Sequence, residues 1–177
     1  MGSLTITGEL IARSNRLGAD PRNTNYAGGN TSAKGTAVDP VTGQDVELLW
    51  VKGSGGDLGT LRQAGLAVLR LDRLRALVNV YPGVDREDEM VAAFDFCLHG
   101  KGGAAPSIDT AMHGLVSAPH VDHLHPDSGI ALAAAAPPVR SATIFSAYPE
   151  RRYAPTGSGS SPASSRKAAS SGRTSVL

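Results

Sequence analysis

The chain has 177 residues, 41% of them apolar, and a formal net charge of +1 at pH 7. That length suffices for one domain with a proper core, and the near-neutral balance argues against a nucleic-acid partner. A single cysteine, Cys97, rules out an internal disulfide framework and fits a reducing cytosol, while the start MGSLTITGEL lacks the basic and apolar regions of a signal peptide.

Residues 9–17 read as a short helix closing near Gly18. Residues 30–40 and 44–53 read as two strands joined by the turn DPVTG, a hairpin. GLAVLRLD, 65–72, reads as a further strand, although LAVLRLDRLRAL also carries a helical pattern. Acidic residues followed by apolar ones at helical spacing predict a helix over 85–98. SIDTAMHGLVSA, 107–118, predicts a helix after Pro106, with Ser107 as N-cap and Asp109 in the first turn. Residues 120–124 read as a strand, and Pro126-Asp127 opens a last helix through 136. Its apolar run is far too short to span a bilayer. The expectation is an α/β domain over residues 1–145, with helices packed on a mixed or antiparallel sheet, in a soluble cytoplasmic protein. Residues 146–177 are rich in Ser, Gly, Ala and Pro. They bury too little apolar surface to offset their ordering entropy and are expected to be disordered.

Four stretches carry possible chemistry. GGNTSAKG, 28–35, is a glycine turn entering a strand; it is either a plain turn with polar caps or an anion-binding nest with Asn30 and Ser32 as added donors. KGSGGDLG, 52–59, repeats the theme after an apolar strand and matches neither the Walker pattern nor the dinucleotide fingerprint. At PSIDTAMH, 106–113, Ser107 fits a phosphate contact at a helix start, while Asp109 is either a cap or a general base near a metal. His113, on the same helix face as Asp109, reads as a packed histidine. In HVDHLHP, 120–126, residues two apart on a strand point to the same side. His123 and His125 are therefore either surface histidines on an edge strand or two ligands of one metal. His120 is out of phase with them.

Taken in this order and spacing, GGNTS, KGSG, PSxD and HVDHLHPD resemble the class II aldolase/adducin family over about residues 8–136. The longer agreement is similar to the rhamnulose-1-phosphate aldolase part of bifunctional aldolase/short-chain dehydrogenase proteins. The resemblance implies a three-layer α/β/α fold around a largely antiparallel sheet, incomplete at the C-terminus here, in a homo-oligomer. It implies zinc-dependent cleavage of a phosphorylated ketose, rhamnulose 1-phosphate, to dihydroxyacetone phosphate and lactaldehyde. By the same resemblance Gly29, Asn30, Ser54, Gly55 and Ser107 hold the phosphate, Asp109 is the catalytic carboxylate, and His123 and His125 bind zinc. The chain departs from the family pattern at three places. Ile108 replaces a second serine, Asp109 replaces a glutamate, and no histidine follows His125 where the family carries a third zinc ligand. The serine-rich tail is accordingly expected to be foreign sequence after a truncation or frame shift. The alternatives are a non-catalytic adducin-like assembly module or an inactive fragment of a bifunctional protein.

Overall fold

The computed structural model describes residues 5–26, 28–100 and 103–135. These lie in the first of two compact units, Met1–Pro138. The tail expected to be disordered lies outside the described residues.

The first helix, α1 (Ile6–Gly18), begins where Thr5 accepts the Gly8 N–H at 3.2 Å, an N-cap. It buries Leu10 and Ser14, one turn apart on a single face. Strands β1 (Asn30–Val38) and β2 (Asp45–Lys52) form the expected hairpin. Its turn is held by the Asp39 carboxylate, which accepts the N–H groups of Val41 and Thr42 at 2.8 and 3.2 Å. The ambiguous LAVLRLDRLRAL divides between both of its readings. Strand β3 (Leu66–Arg70) pairs antiparallel with β2, and helix α2 (Leu71–Ala76) follows at once, burying Leu71 and Leu74.

The helix expected over 85–98 is broken into a 3-10 turn (Val84–Arg86), α3 (Glu87–Ala93) and a second 3-10 turn (Phe94–Cys97). In 3-10 geometry residues three apart eclipse, which sends both Phe94 and Cys97 into the core before Leu98 bridges to β3. Helix α4 (Thr110–Leu115) is shorter than the expected 107–118 at both ends. Strand β4 (His120–His123) pairs antiparallel with β1, and α5 (Asp127–Ala135) follows.

Among the described residues the sheet has four strands in the order β3-β2-β1-β4, all antiparallel. Its alternating side chains build two cores. Leu49, Val51, Ala67 and Leu69 face Leu71, Leu74, Phe94 and Cys97. Ala33, Leu66 and Trp50 face Leu10 and Ile11 of α1. Helices thus cover both sides, the three layers expected of the fold. Strand phase also sorts the polar residues. Thr31 points to α1, where Ser14 meets it, whereas Asn30 and Ser32 point to the α4 side.

Candidate active site

The candidate site lies at the start of β1, where three chain segments meet on the α4 side of the sheet. Asn30 is directly opposite His123 in the β1–β4 register, so the two side chains share that face. The Asn30 amide nitrogen donates to Ser107 Oγ at 2.9 Å and to Asp109 Oδ2 at 2.6 Å. Asp109 Oδ1 stands 3.7 Å from His123 Nδ1. One asparagine therefore gathers a serine, a carboxylate and a histidine from segments 77, 79 and 93 positions along the chain.

That arrangement corrects the expected capping. Asp109 occupies the N-cap position of α4 but makes no side-chain cap bond, and Ser107 is not the N-cap. Both side chains are drawn to Asn30 instead. With six residues α4 also offers little helix dipole, so an anion site here depends on side chains and turns.

A cleft of about 480 Å³ opens beside this group, lined by Gly29, Asn30, Lys52, Ser54, Gly55, Ser107 and Asp109 among others. The five residues that the family resemblance assigns to the phosphate are on its wall, together with Asp109; Ser32, named as a further donor, pairs with His113 instead, and His123 and His125 do not line the cleft. The wall's donor capacity differs from the simple nest. Gly53 and Ser54 spend their N–H groups on Gly65 O and Ala105 O, at 2.9 and 2.8 Å. Asn30 spends both amide hydrogens, leaving only its buried Oδ1 without a partner. Ser107 Oγ accepts from Asn30, so its own hydroxyl hydrogen is free to be donated. Gly29 holds φ at +94, a conformation that L side chains rarely adopt.

Sequence reasoning passed over Lys52. It is 4% exposed, and its ammonium donates to Gly55 O at 2.9 Å and Gly53 O at 3.3 Å. Burial pushes its pKa down, while the carboxylates of Asp57 and Asp109 pull it back up. The available signal was a lysine ending the apolar strand DVELLWVK directly before a glycine turn. A buried cation on a cleft wall draws anions.

The histidines separate by phase as expected. His120 turns to the α1 side, where its Nδ1 is 3.1 Å from Arg13 Nη1. The same guanidinium donates to Asp122 Oδ1 at 3.0 Å and to Ser32 O at 2.7 Å, tying β4 to α1 and β1. His123 and His125 stay together, with Nε2 atoms 3.2 Å apart and rings at 69°. Two imidazole nitrogens each about 2.0–2.1 Å from one tetrahedral zinc would stand roughly 3.3 Å apart. The pair therefore fits two positions on a single ion. Asp109 Oδ1 stands 3.7 Å from the opposite nitrogen of His123, beyond hydrogen-bonding distance, and that buried Nδ1 has no hydrogen-bond partner. Among the described residues no group of three His, Cys, Asp or Glu side chains converges to hold an ion.

His113 is fully buried, with Nδ1 2.8 Å from Ser32 Oγ and Nε2 unpartnered. Burial lowers its pKa from 6.5 to about 4, against an opposing pull from Asp109. The unfolded chain thus takes up this proton first. The corresponding stability is fully present above about pH 6.5 and is lost as pH falls toward 4. Between pH 7.5 and 5.0 urea melts are expected to lose on the order of 2 kcal/mol more in the native chain than in His113→Asn. Equal losses would contradict this.

The family model for the class II aldolase and adducin N-terminal domain matches residues 9–172. The chain belongs to the class II aldolase/adducin family. A solved structure, the N-terminal class II aldolase domain of a conserved protein from Thermoplasma acidophilum, is similar with a TM-score of 0.70 and 26% identity. The likeness covers 82% of this chain and 66% of that one. The Bacillus subtilis (strain 168) protein named uncharacterized oxidoreductase YuxG is 40% identical over 127 residues. That stretch is 72% of this chain and 18% of YuxG, so the chain spans under a fifth of that relative. Among the described residues of this class II aldolase domain, no helix is long and apolar enough to cross a membrane.

Gly28 shows how tightly the domain packs around its histidine pair. A Cβ there would collide with His125 Nδ1 and lie 2.8 Å from Thr24 O. Gly28→Ala is expected to turn His125 aside and, for a zinc ion held by the pair, to weaken binding by about tenfold, as disturbed ligand orientation does. Titration against a competing chelator reads this out; an unchanged affinity would show that His125 does not depend on that glycine.

Proposed function

We propose that this domain is a zinc-dependent aldolase cleaving a ketose 1-phosphate, with rhamnulose 1-phosphate the first candidate, to dihydroxyacetone phosphate and lactaldehyde. The supporting observation is the pair of hydrogen bonds that Asn30, opposite His123 in the sheet, donates to Ser107 and Asp109. It joins a hydroxyl donor and a carboxylate of the cleft wall, and the carboxylate in turn stands 3.7 Å from a candidate metal ligand, His123.

In this reading the substrate phosphate lies against Gly29, Ser54, Gly55 and Ser107, with Lys52 supplying charge. Asn30 aims the Ser107 hydroxyl at the phosphate. Anchoring the phosphate orients carbons several bonds away, so remote binding energy serves the reaction. Asp109 accepts the proton of the C4 hydroxyl, and the O–H electron pair becomes the aldehyde C=O. The C3–C4 bond breaks, and its electrons move toward C2, placing negative charge on the ketone oxygen. Asp109 then returns the proton to C3, restoring itself and completing dihydroxyacetone phosphate. A zinc ion held by His123 and His125 would act as a Lewis acid toward that charge.

The test is release of dihydroxyacetone phosphate from rhamnulose 1-phosphate and related ketose 1-phosphates, with zinc and with a chelator. Zinc-dependent release supports the reading; none from any of them refutes it. The second reading is a non-catalytic adducin-like module, favoured by the finding that, among the described residues, no third side chain converges with His123 and His125 on one ion. It expects folded protein and no release. Assembly as a homo-oligomer belongs to either reading, supported by exposed Ile108, Leu115, Ile130 and Leu132, and sedimentation measures it.

A further inference from the structure

His113 has no part in that reaction, yet its place in the fold is costly. A leucine would fill a similar volume in the core without burying an unpartnered nitrogen. The imidazole has 0% exposure, one hydrogen bond to Ser32 Oγ at 2.8 Å, and a bare Nε2. Burial keeps it neutral at pH 7. A neutral, directional side chain therefore occupies a position where packing alone would favour an apolar one.

The geometry around it is regular. Asn30 and Ser32 are two apart on β1 and point to the same side, about 6.6 Å apart along the strand. Asp109 and His113 are four apart. Asp109 already has helical dihedrals (φ −72, ψ −8), and the His113 N–H donates to its carbonyl at 3.3 Å. Four helical residues rise about 6.0 Å. The two spacings match closely, so two rungs can join the segment from Asp109 to His113 to β1. One rung is Asn30 to Asp109 at 2.6 Å, and the other is His113 to Ser32 at 2.8 Å. The bonds from Asn30 to Ser107 and Asp109 and from the Ser54 N–H to Ala105 O all hold the N-terminal end of the segment, about which it could still pivot. The second rung removes that freedom.

We propose that His113 is a positioning residue, whose bond to Ser32 fixes the segment bearing Asp109 so that its carboxylate stays aimed from Asn30 into the cleft. This rests on the reading of Asp109 as the proton-transferring group. An imidazolium here would be repelled by His123 and Lys34 and would attract the carboxylates of Asp109 and Asp122, pulling on the group it positions; burial keeps the ring neutral.

Three variants test the role: His113→Leu, which fills the volume without the bond; Ser32→Ala, which removes the partner; and His113→Asn, which keeps a polar atom near the Nδ1 position. With zinc-loaded protein, kcat for dihydroxyacetone phosphate release is expected to fall about tenfold or more in the first two, with KM within about twofold. His113→Asn is expected to recover to within about threefold of the native chain. The second readout is the side-chain amide resonance of Asn30 in metal-free protein, followed by nitrogen–proton NMR. It should shift and lose protection from hydrogen exchange in His113→Leu and Ser32→Ala, and stay native-like in His113→Asn. An unchanged Asn30 amide overturns the proposal whatever the kinetics, and so does an unchanged kcat in a variant whose amide has shifted. If His113→Leu does not fold, Ser32→Ala carries both readouts. If the native chain releases no product, the aldolase reading fails separately, and an unmoved amide still overturns the second rung.

Discussion

Asp109→Asn is expected to lower kcat for dihydroxyacetone phosphate release by about 10³-fold, within the range lost when a general acid–base group is removed. KM should change by no more than a few fold. The substitution is close to isosteric, and its amide oxygen still accepts the 2.6 Å bond from Asn30, so the cleft keeps its shape. What disappears is the ability to take the hydroxyl proton and give it back. A loss confined to kcat is the signature of a group acting in the transition state and not in substrate binding. The departure from the family's glutamate adds a second comparison. Asp109→Glu reaches one methylene farther and, if the shorter side chain is matched to this cleft, should be less active than the native chain. Steady-state kinetics on the three proteins decides both points. An Asp109→Asn variant with native kcat would remove the residue from the mechanism.

His123→Ala is expected to weaken zinc binding by more than about 100-fold, since even the loss of a group that merely orients a ligand costs 10- to 100-fold. In the proposed site both imidazoles serve as ligands, their Nε2 atoms, 3.2 Å apart, matching adjacent corners of one ion. His120→Ala is the internal control. That ring lies three residues away on the same strand but faces Arg13 on the other side of the sheet, so zinc affinity should not move. Competition titration with a chromophoric chelator measures all three proteins. Equal affinity in native and His123→Ala protein would contradict the metal reading, and a parallel loss in His120→Ala would show that the effect is structural.

The contrast between His120 and His123 also shows what sequence can reveal. Strand alternation alone separates them, because period-two geometry is local and tertiary context does not change it. The hairpin of β1 and β2 was legible for the same reason, with its Asp39 turn and flanking apolar runs. The helix expected over 85–98 was not, because its last turn tightens to bring Phe94 and Cys97 into a core assembled from β2, β3 and α2. No local pattern reports that demand. The capping expected of Ser107 and Asp109 was not realised either. Both are good capping residues, and capping is the ordinary local role for them. It was lost to Asn30, which lies more than 75 residues earlier and is brought near only by the sheet. The same long-range gathering hid Lys52. Its burial depends on the 104–109 segment folding over the end of β2, where Ala105 receives the Ser54 N–H.

The central claim is that the histidine pair and the anion-holding wall serve one cleft. Calorimetric titration of dihydroxyacetone phosphate into the protein, with and without one equivalent of zinc, tests it most directly. If the ketone oxygen meets the metal while the phosphate meets Ser54, Gly55 and Ser107, zinc should tighten binding about tenfold or more, and His123→Ala should abolish that gain. Identical affinities with and without zinc, in protein shown by the same titration to have bound the metal, would contradict it.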